Sequence, residues 1–427
     1  MTPGAAPDNV LVTQHFGSLL YVRSRHEYLP YDRLTTEVLR ALADRPLAAL
    51  PGDLARQVPP RQRRAFLRLG RRLGFLAADG RFLGRIVDRP CPDDHLAAPL
   101  TVHLAVTNRC NLDCAHCFAA DERRGPCAEL ALPRIEALFD ELATMGCQRV
   151  ALTGGEPFLR RDLFQIIDAA EARGLDVCLT TNGCHLDAAN VEQLARRHYA
   201  WINVSLEGTT AAVNDAVRGA GHFAQVTGNL RRHCKGRLRF GLSVTLHRGN
   251  RHQLRGLPRF ARRLGAEVVM LRNLYPIGAA AAAHDLALSF GEYQQAAASL
   301  ARGFWPTHVV PTSCEPFATE PEPAVVYTQF GCAAGNTVAT VCANGDVSPC
   351  SLIGDGVALD NLRERSFASI WHAGAGFRQV RGLATPRPCA ECASYDQCAG
   401  GCRARAWQAT GTLGGLDPWC THPAAPV

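Results

Sequence analysis

Three cysteines stand close enough together to act as one group. Cys110-Asn-Leu-Asp-Cys114-Ala-His-Cys117 puts three thiols within eight residues. One loop at that spacing can wrap a face of a [4Fe–4S] cluster, each thiolate taking one iron. Three ligands leave the fourth iron open, as catalytic zinc sites keep a position vacant where structural ones do not. An open iron can bind the amino and carboxylate groups of a small molecule. A zinc ion borrowing His116 is the competing reading, although zinc ligands usually come as two pairs and no partner pair lies nearby. A second group fills the C-terminal region: Cys332, Cys342, Cys350, Cys389, Cys392, Cys398, Cys402 and Cys420. By ligand type alone these divide evenly between zinc ribbons and iron–sulfur clusters.

Such loops need a scaffold, and the sequence divides into three parts. From about residue 101 to 290, strand-like runs alternate with helices: TVHLAVT (101–107), QRVALT (148–153), LDVCLTT (175–181), AWINVSL (200–206), LRFGLSVTL (238–246) and AEVVMLR (266–272). Between the first two, Leu132, Ile135, Leu138, Phe139 and Leu142 share one helical face. Six β-then-α units imply a parallel sheet with right-handed crossovers, hence an α/β fold, a partial (β/α)6 TIM-like barrel. Chemistry in such folds sits on loops at the C-terminal strand ends, and Cys110 follows the first strand. Residues 1–95 read as a small winged-helix-like α+β domain. It has a hairpin FGSLLYVR/HEYLPYD, helices near 34–44, 51–57 and 60–73, and a second hairpin through GFLAADGRFLGRIV. After an alanine-rich stretch (Gly278–His284) and a proline-rich one (Pro306–Pro323), the region 328–423 is irregular and cysteine-rich, so metal ligation must help hold it together. The expected domains are 1–95, 96–300 and 301–427.

The 427 residues include 47% apolar and 20% charged types, enough for two or three cored domains. The net charge of +7 comes almost wholly from arginine, with Lys235 the only lysine. That surplus is a weak signal for nucleic acid and suits an acidic peptide or anionic cofactor equally well. The N-terminus lacks the basic-then-apolar pattern of a signal peptide, and no apolar run is long enough to span a bilayer. We therefore expect a cytoplasmic chain with neither nucleic-acid nor membrane partner, its 18 cysteines serving metal more than disulfides.

The CxxxCxxC loop resembles the signature of the radical SAM superfamily. The resemblance implies that the cluster passes an electron to the sulfonium of S-adenosylmethionine (SAM), giving methionine and a 5′-deoxyadenosyl radical that takes hydrogen from unactivated carbon. Cys110, Cys114 and Cys117 are then the catalytic and cluster-holding residues, with His116 standing in for the family's aromatic. Gly154-Gly155-Glu156-Pro157 resembles the GGEP motif that binds the methionine amino group, and Glu156 can accept from the ammonium. Asn182 follows the third strand. Ser205 resembles the ribose or carboxylate contact, and Glu207 stands where relatives more often carry Asp. Arg218 resembles the partner of the SAM carboxylate, and Phe118, after the last cysteine, joins the cofactor-binding set. Cys332 through Cys420, with Gly345 between the first two ligands, is similar to the SPASM pattern. The family pairing assigns Cys389, Cys392, Cys398 and Cys420 to one auxiliary [4Fe–4S] cluster. It assigns Cys332, Cys350 and Cys402 to another, for which Cys342 is a plausible fourth ligand. Cys91, Cys127, Cys147, Cys178, Cys184, Cys234 and Cys314 are left over, and Cys184, after the third strand, is the one placed to meet substrate.

Residues 1–95 hold 15 Arg against 10 Asp plus Glu, which would suit DNA phosphates. The first hairpin also resembles the peptide-recognition element of PqqD, which adds a leader peptide as a strand to its sheet edge. A purely structural cap is the third reading. Together these resemblances imply a radical SAM maturase of a ribosomally made precursor peptide, supplied with electrons by a donor such as flavodoxin or ferredoxin. The product would be a crosslink, an epimer, an oxidised side chain or backbone excision. Ser351 stands where sulfatase-maturing enzymes carry an Asp base, which argues against that activity. The ending CAGGCRARA with Asp417-Pro418 also resembles enzymes of haem and haem d1 synthesis, so tetrapyrrole chemistry is the alternative.

Overall fold

A computed structural model of the chain describes residues 9–121, 128–301, 307–311, 332–392, 395–398 and 400–420. Cys127, Cys314 and most of Pro306–Pro323 lie outside these. The chain divides into two compact units, Met1–Leu100 with Asp140–Gln148, and Thr101–Phe139 with Arg149–Val427.

The first unit is built on a four-stranded sheet of β1 (Asn9–Gln14), β2 (Gly17–Val22), β3 (Glu27–Asp32) and β4 (Gly84–Val87), ordered β3-β2-β1-β4. Three helices accompany it: α1 (Arg33–Asp44), α2 (Gly52–Gln57) and α3 (Pro60–Leu73). Asp32 caps α1 by accepting from the Thr35 N–H at 2.7 Å. Pro60 opens α3 and Gly74, left-handed at φ 82°, closes it. Leu11, Leu20, Leu39, Leu42 and Phe75 are fully buried between sheet and helices, each contributing about 1.5–3 kcal/mol of transfer energy.

Two features of this unit depart from the expectation. β1 is a central strand, and the second hairpin is short. Around its Leu76–Phe82 bridge the Ala77 N–H donates to Arg81 O and the Leu83 N–H to Phe75 O, both at 2.8 Å, while Gly84–Val87 leaves it to run parallel to β1. Asn9 draws the pieces together: its buried side chain donates to Leu83 O (2.6 Å) and Gly74 O (3.1 Å) and accepts the Arg23 N–H (3.2 Å). Glycine is required at 84, where a β-carbon would stand 2.4 Å from Asn9 O.

The second unit holds the expected parallel strands β5 (Thr101–Thr107), β6 (Arg149–Gly154), β7 (Asp176–Thr181), β8 (Trp201–Ser205), β9 (Phe240–Leu246) and β10 (Val268–Asn273), neighbouring in chain order. Helices α4 (Leu132–Met145), α5 (Leu163–Ala172), α6 (Ala188–Ala195), α7 (Ala211–Arg218), α8 (His222–Asn229), α9 (Leu257–Leu264) and α10 (Phe290–Ala301) connect or follow them. Alternate residues such as Val102, Leu152, Val177, Ile202, Leu242 and Val269 are fully buried, giving the strands an apolar face for the helices. The sheet is longer than six strands. β11 (His308–Pro311) extends it beyond β10. At the other end, β12 (Val338–Val341) pairs in parallel with β5, followed by β13 (Asp346–Ser348) and β14 (Asp360–Asn361). The cysteine-rich region thus adds strands to the barrel sheet.

Candidate functional site

The loop carrying Cys110, Cys114 and Cys117 leaves the C-terminal end of β5 and is held from several sides. Arg160 is buried and donates from Nη1 to Val106 O (2.7 Å) and from Nη2 to Leu130 O (2.8 Å), with Asp162 neutralising it. The end of β6 lies against the same loop: Gly155 N–H donates to Thr107 O and Glu156 N–H to Arg109 O, both at 2.7 Å. A β-carbon on Gly155 would come within 2.1 Å of Arg109 O, so glycine there serves the meeting of two protein backbones. From α7, Val217 O accepts the Ala115 N–H, and after β10 the Ala279 N–H donates to Cys117 O. Cys114 is buried, Cys110 and Cys117 are partly exposed, and the three thiols lie within electrostatic reach of one another.

Glu156, fully buried, spends both oxygens on the protein. Oε1 accepts from Thr181 Oγ1 (2.8 Å) and the Phe158 N–H (3.2 Å), and Oε2 from the Asn182 N–H (2.8 Å). Burial pushes its carboxyl up to about 7 against those bonds. Asn182 passes the tether on, its Nδ2 donating to Asn111 Oδ1 in the cysteine loop at 2.8 Å. Cys184 is buried beside this junction, in electrostatic reach of Cys110 and Cys114, and burial raises its thiol to about 11.

Opposite stands Glu207, also fully buried. Its Oε1 accepts from His116 Nε2 (3.2 Å), Arg218 Nε (3.0 Å) and Arg218 Nη2, and its Oε2 from the Thr245 N–H (2.6 Å). Burial opposes its charge, yet Arg218 and His116 hold the carboxyl well below the usual carboxylate range. The free edge of Arg218 turns toward the cysteine loop, Nη1 lying 3.7 Å from Cys114 Sγ. Ser205 ends β8 in register with Ser243 of β9, and Arg272 of β10 donates to Ser243 Oγ at 3.0 Å. His103 of β5 lies near enough for the Arg272 charge to add to burial, which together lower its pKa to about 4. The barrel interior is therefore polar. Phe118 stands exposed at the end of the cysteine loop.

The other thiols fall into two groups. Cys332, Cys350 and Cys402 pack with Ala334, Ile353, Val357, Val380 and Leu413, and Tyr275 Oη lies 3.7 Å from Cys402 Sγ. Cys389, Cys392, Cys398 and Cys420 line one cavity with Pro388, Tyr395 and Gly400, of about 290 Å³ including its open mouth. Cys342 opens the β12–β13 turn, where its N–H donates to Asp346 O at 2.8 Å. Among the described residues no three His, Cys, Asp or Glu side chains close on a single point as around one ion.

With this geometry in view, two family models match: the radical SAM superfamily over residues 104–260, and the iron-sulfur cluster-binding domain SPASM over 332–394. The mycofactocin maturase MftC of Mycobacterium ulcerans is 32% identical over 343 residues, spanning 77% of this chain and 89% of that protein. The chain belongs to the radical SAM superfamily. An AdoMet-dependent heme synthase of Methanosarcina barkeri is 28% identical over 340 residues, 76% of this chain and 97% of the relative. The crystal structure of Streptococcus suis SuiB bound to precursor peptide SuiA superposes with a TM-score of 0.74 at 16% identity, covering 97% and 98% of the two chains; this likeness shows the fold.

A radical SAM enzyme works with SAM and [4Fe–4S] clusters, and the donor sets here fit them. One loop offers three thiols and no fourth, and four thiols line a cavity. Sequence reasoning missed Asn111, Arg160, Arg272 and the joining of His116, Glu207 and Arg218. Their partners are distant in sequence, and an isolated arginine near a strand end reads as solvated.

Proposed function

We propose that this radical SAM enzyme is a peptide maturase, acting on a ribosomally made precursor peptide whose leader docks on residues 1–95. The further segments are a catalytic barrel at 96–300 and an auxiliary-cluster region at 301–427. The named activity of MftC and the SuiA-bound fold neighbour support the peptide class. The observation that carries the leader reading is the edge position of β3 in its sheet. Edge strands accept an added strand through their outward backbone groups. Beside that edge Tyr31 meets Phe66 of α3 at 6.2 Å between ring centroids, and α3 exposes Arg61, Arg64, Arg68, Arg71 and Arg72. An acidic, extended leader suits that groove.

In this reading Cys110, Cys114 and Cys117 hold the SAM-binding cluster. Phe118, Gly154, Gly155, Glu156, Asn182, Ser205, Glu207 and Arg218 shape the SAM pocket. Bound together, cluster and SAM supply a carbon-centred radical that takes hydrogen from an unactivated C–H bond. Glu156 and Asn182 lock the strand ends to the cysteine loop. Glu207 balances the charge of Arg218 and keeps it aimed at Cys114. Cys389, Cys392, Cys398 and Cys420 hold one auxiliary cluster; Cys332, Cys350 and Cys402, with Cys342 the proposed fourth ligand, hold the other. A flavodoxin or ferredoxin supplies the electron.

The test is anaerobic assay of reconstituted protein with SAM, dithionite and a short peptide encoded beside the gene. Production of 5′-deoxyadenosine with a mass change in the peptide supports the proposal. A second reading, tetrapyrrole chemistry, rests on the similarity to heme synthase. Turnover of a porphyrin with the peptide untouched would establish it instead.

A further inference from the structure

Arg403 has no part in the function proposed above, and its surroundings are costly. It is only 5% exposed and carries a permanent charge. Nη1 donates to Leu413 O (3.1 Å) and Gly415 O (3.3 Å), but Nε and Nη2 are buried with no acceptor among the described residues. Its near neighbour Arg405 shows how this chain normally settles such a group: Nε and Nη2 bind Asp417 at 2.8 and 2.6 Å. Two idle donor nitrogens on a buried guanidinium are strongly unfavourable unless something electron-rich faces them.

Thiols lie on either side of Arg403. It follows Cys402 in the chain, and its backbone N–H faces the Cys332 thiol, so its main chain belongs to the group of Cys332, Cys350 and Cys402. Its side chain runs toward the other group. Gly400 lines the cavity with Cys389, Cys392, Cys398 and Cys420, and a β-carbon there would stand 2.8 Å from Arg403 Nη2. The Arg403 charge lies within electrostatic reach of both Cys332 and Cys389.

We infer that Arg403 is a positioning residue shared by two auxiliary iron–sulfur clusters, its idle donors and its charge serving the sulfur of both and raising both reduction potentials. Reduction adds negative charge to a cluster, so a cation and N–H donors near its sulfurs favour the reduced form. One residue then tunes the two clusters together. The inference rests on the iron–sulfur reading of these seven cysteines.

The test is potentiometric EPR on full-length reconstituted protein in a Cys110→Ala background, which leaves the auxiliary clusters as the signal. Arg403→Gln removes the charge, while Arg403→Lys keeps it and removes the Nε donor. The expected result is a fall of both auxiliary midpoints in Arg403→Gln and a smaller fall of both in Arg403→Lys. Midpoints that stay put, or one that moves alone, with about eight irons retained, overturn the inference. Should Arg403→Gln lose iron, the Lys variant decides by the same criterion. Zinc in place of iron in the unmodified protein would instead defeat the reading beneath it, an outcome iron analysis separates from unmoved potentials.

Discussion

Glu207 and Arg218 are a buried pair whose geometry ties charge balance to the cysteine loop. Replacing Glu207 by Gln leaves a buried guanidinium without its counter-charge, a change worth about 3–5 kcal/mol when one partner of such a pair is removed. The expected outcome is an earlier denaturant midpoint with Glu207→Gln, accompanied by a changed EPR signal of the Cys110 loop's cluster. An effect on stability alone would confine Glu207 to folding. Glu156 differs, because burial raises its folded pKa to about 7 from about 4.3 unfolded. A raised carboxyl gives its full stability below pH 4 and loses it as pH climbs through 7, a change of about 4 kcal/mol in all. Unfolding free energy should therefore fall between about pH 4 and 7, and Glu156→Gln should flatten that slope. An unchanged slope would place the proton elsewhere. The residues named in these pairs were legible as types; their partners were not, because the bonds to Asn182, Thr245 and His116 join the ends of different strands.

At the scale of elements, the six β–α units were legible because each strand is a compact apolar run. β1, whose Val10, Leu11 and Val12 are all buried, was not among the runs read as strands. The second limb of the expected wing went to β1 because Asn9 binds both of its flanks. The meeting of β6 with the cysteine loop gives a sharp prediction: Gly155→Ala forces a methyl to within 2.1 Å of Arg109 O. That variant should lose the four irons of the first cluster, keep about eight in the others, and make no 5′-deoxyadenosine. On the first unit, Arg64→Glu with Arg68→Glu should weaken leader binding about tenfold or more at low salt, measured by fluorescence anisotropy on the full chain. The difference should shrink as salt rises, since exposed charges are screened; equal affinity at low salt would move the leader elsewhere.

For the molecule as a whole, the C-terminal region is structurally part of the barrel sheet. β12 covers the edge of β5 with four residue pairs, from Val338 on Thr101 to Val341 on Leu104. Ending the chain before Cys332 would bare that edge along the strand that precedes the cysteine loop. Such a chain should aggregate on expression, and recovery of a soluble, monodisperse barrel with four irons would show that β12 is dispensable.

The sequence by itself determined the partial barrel and the cysteine loop after its first strand, and its resemblance to the radical SAM superfamily implied the chemistry class. Those features are local: a CxxxCxxC loop and apolar runs need no long-range information. Only the tertiary structure showed that Glu156 serves the loops around it, that Glu207 joins His116 to Arg218, and that Arg403 lies between two thiol groups. Each depends on side chains brought together from distant parts of the chain. A buried charge takes its meaning from the groups that surround it, and sequence order does not list those neighbours.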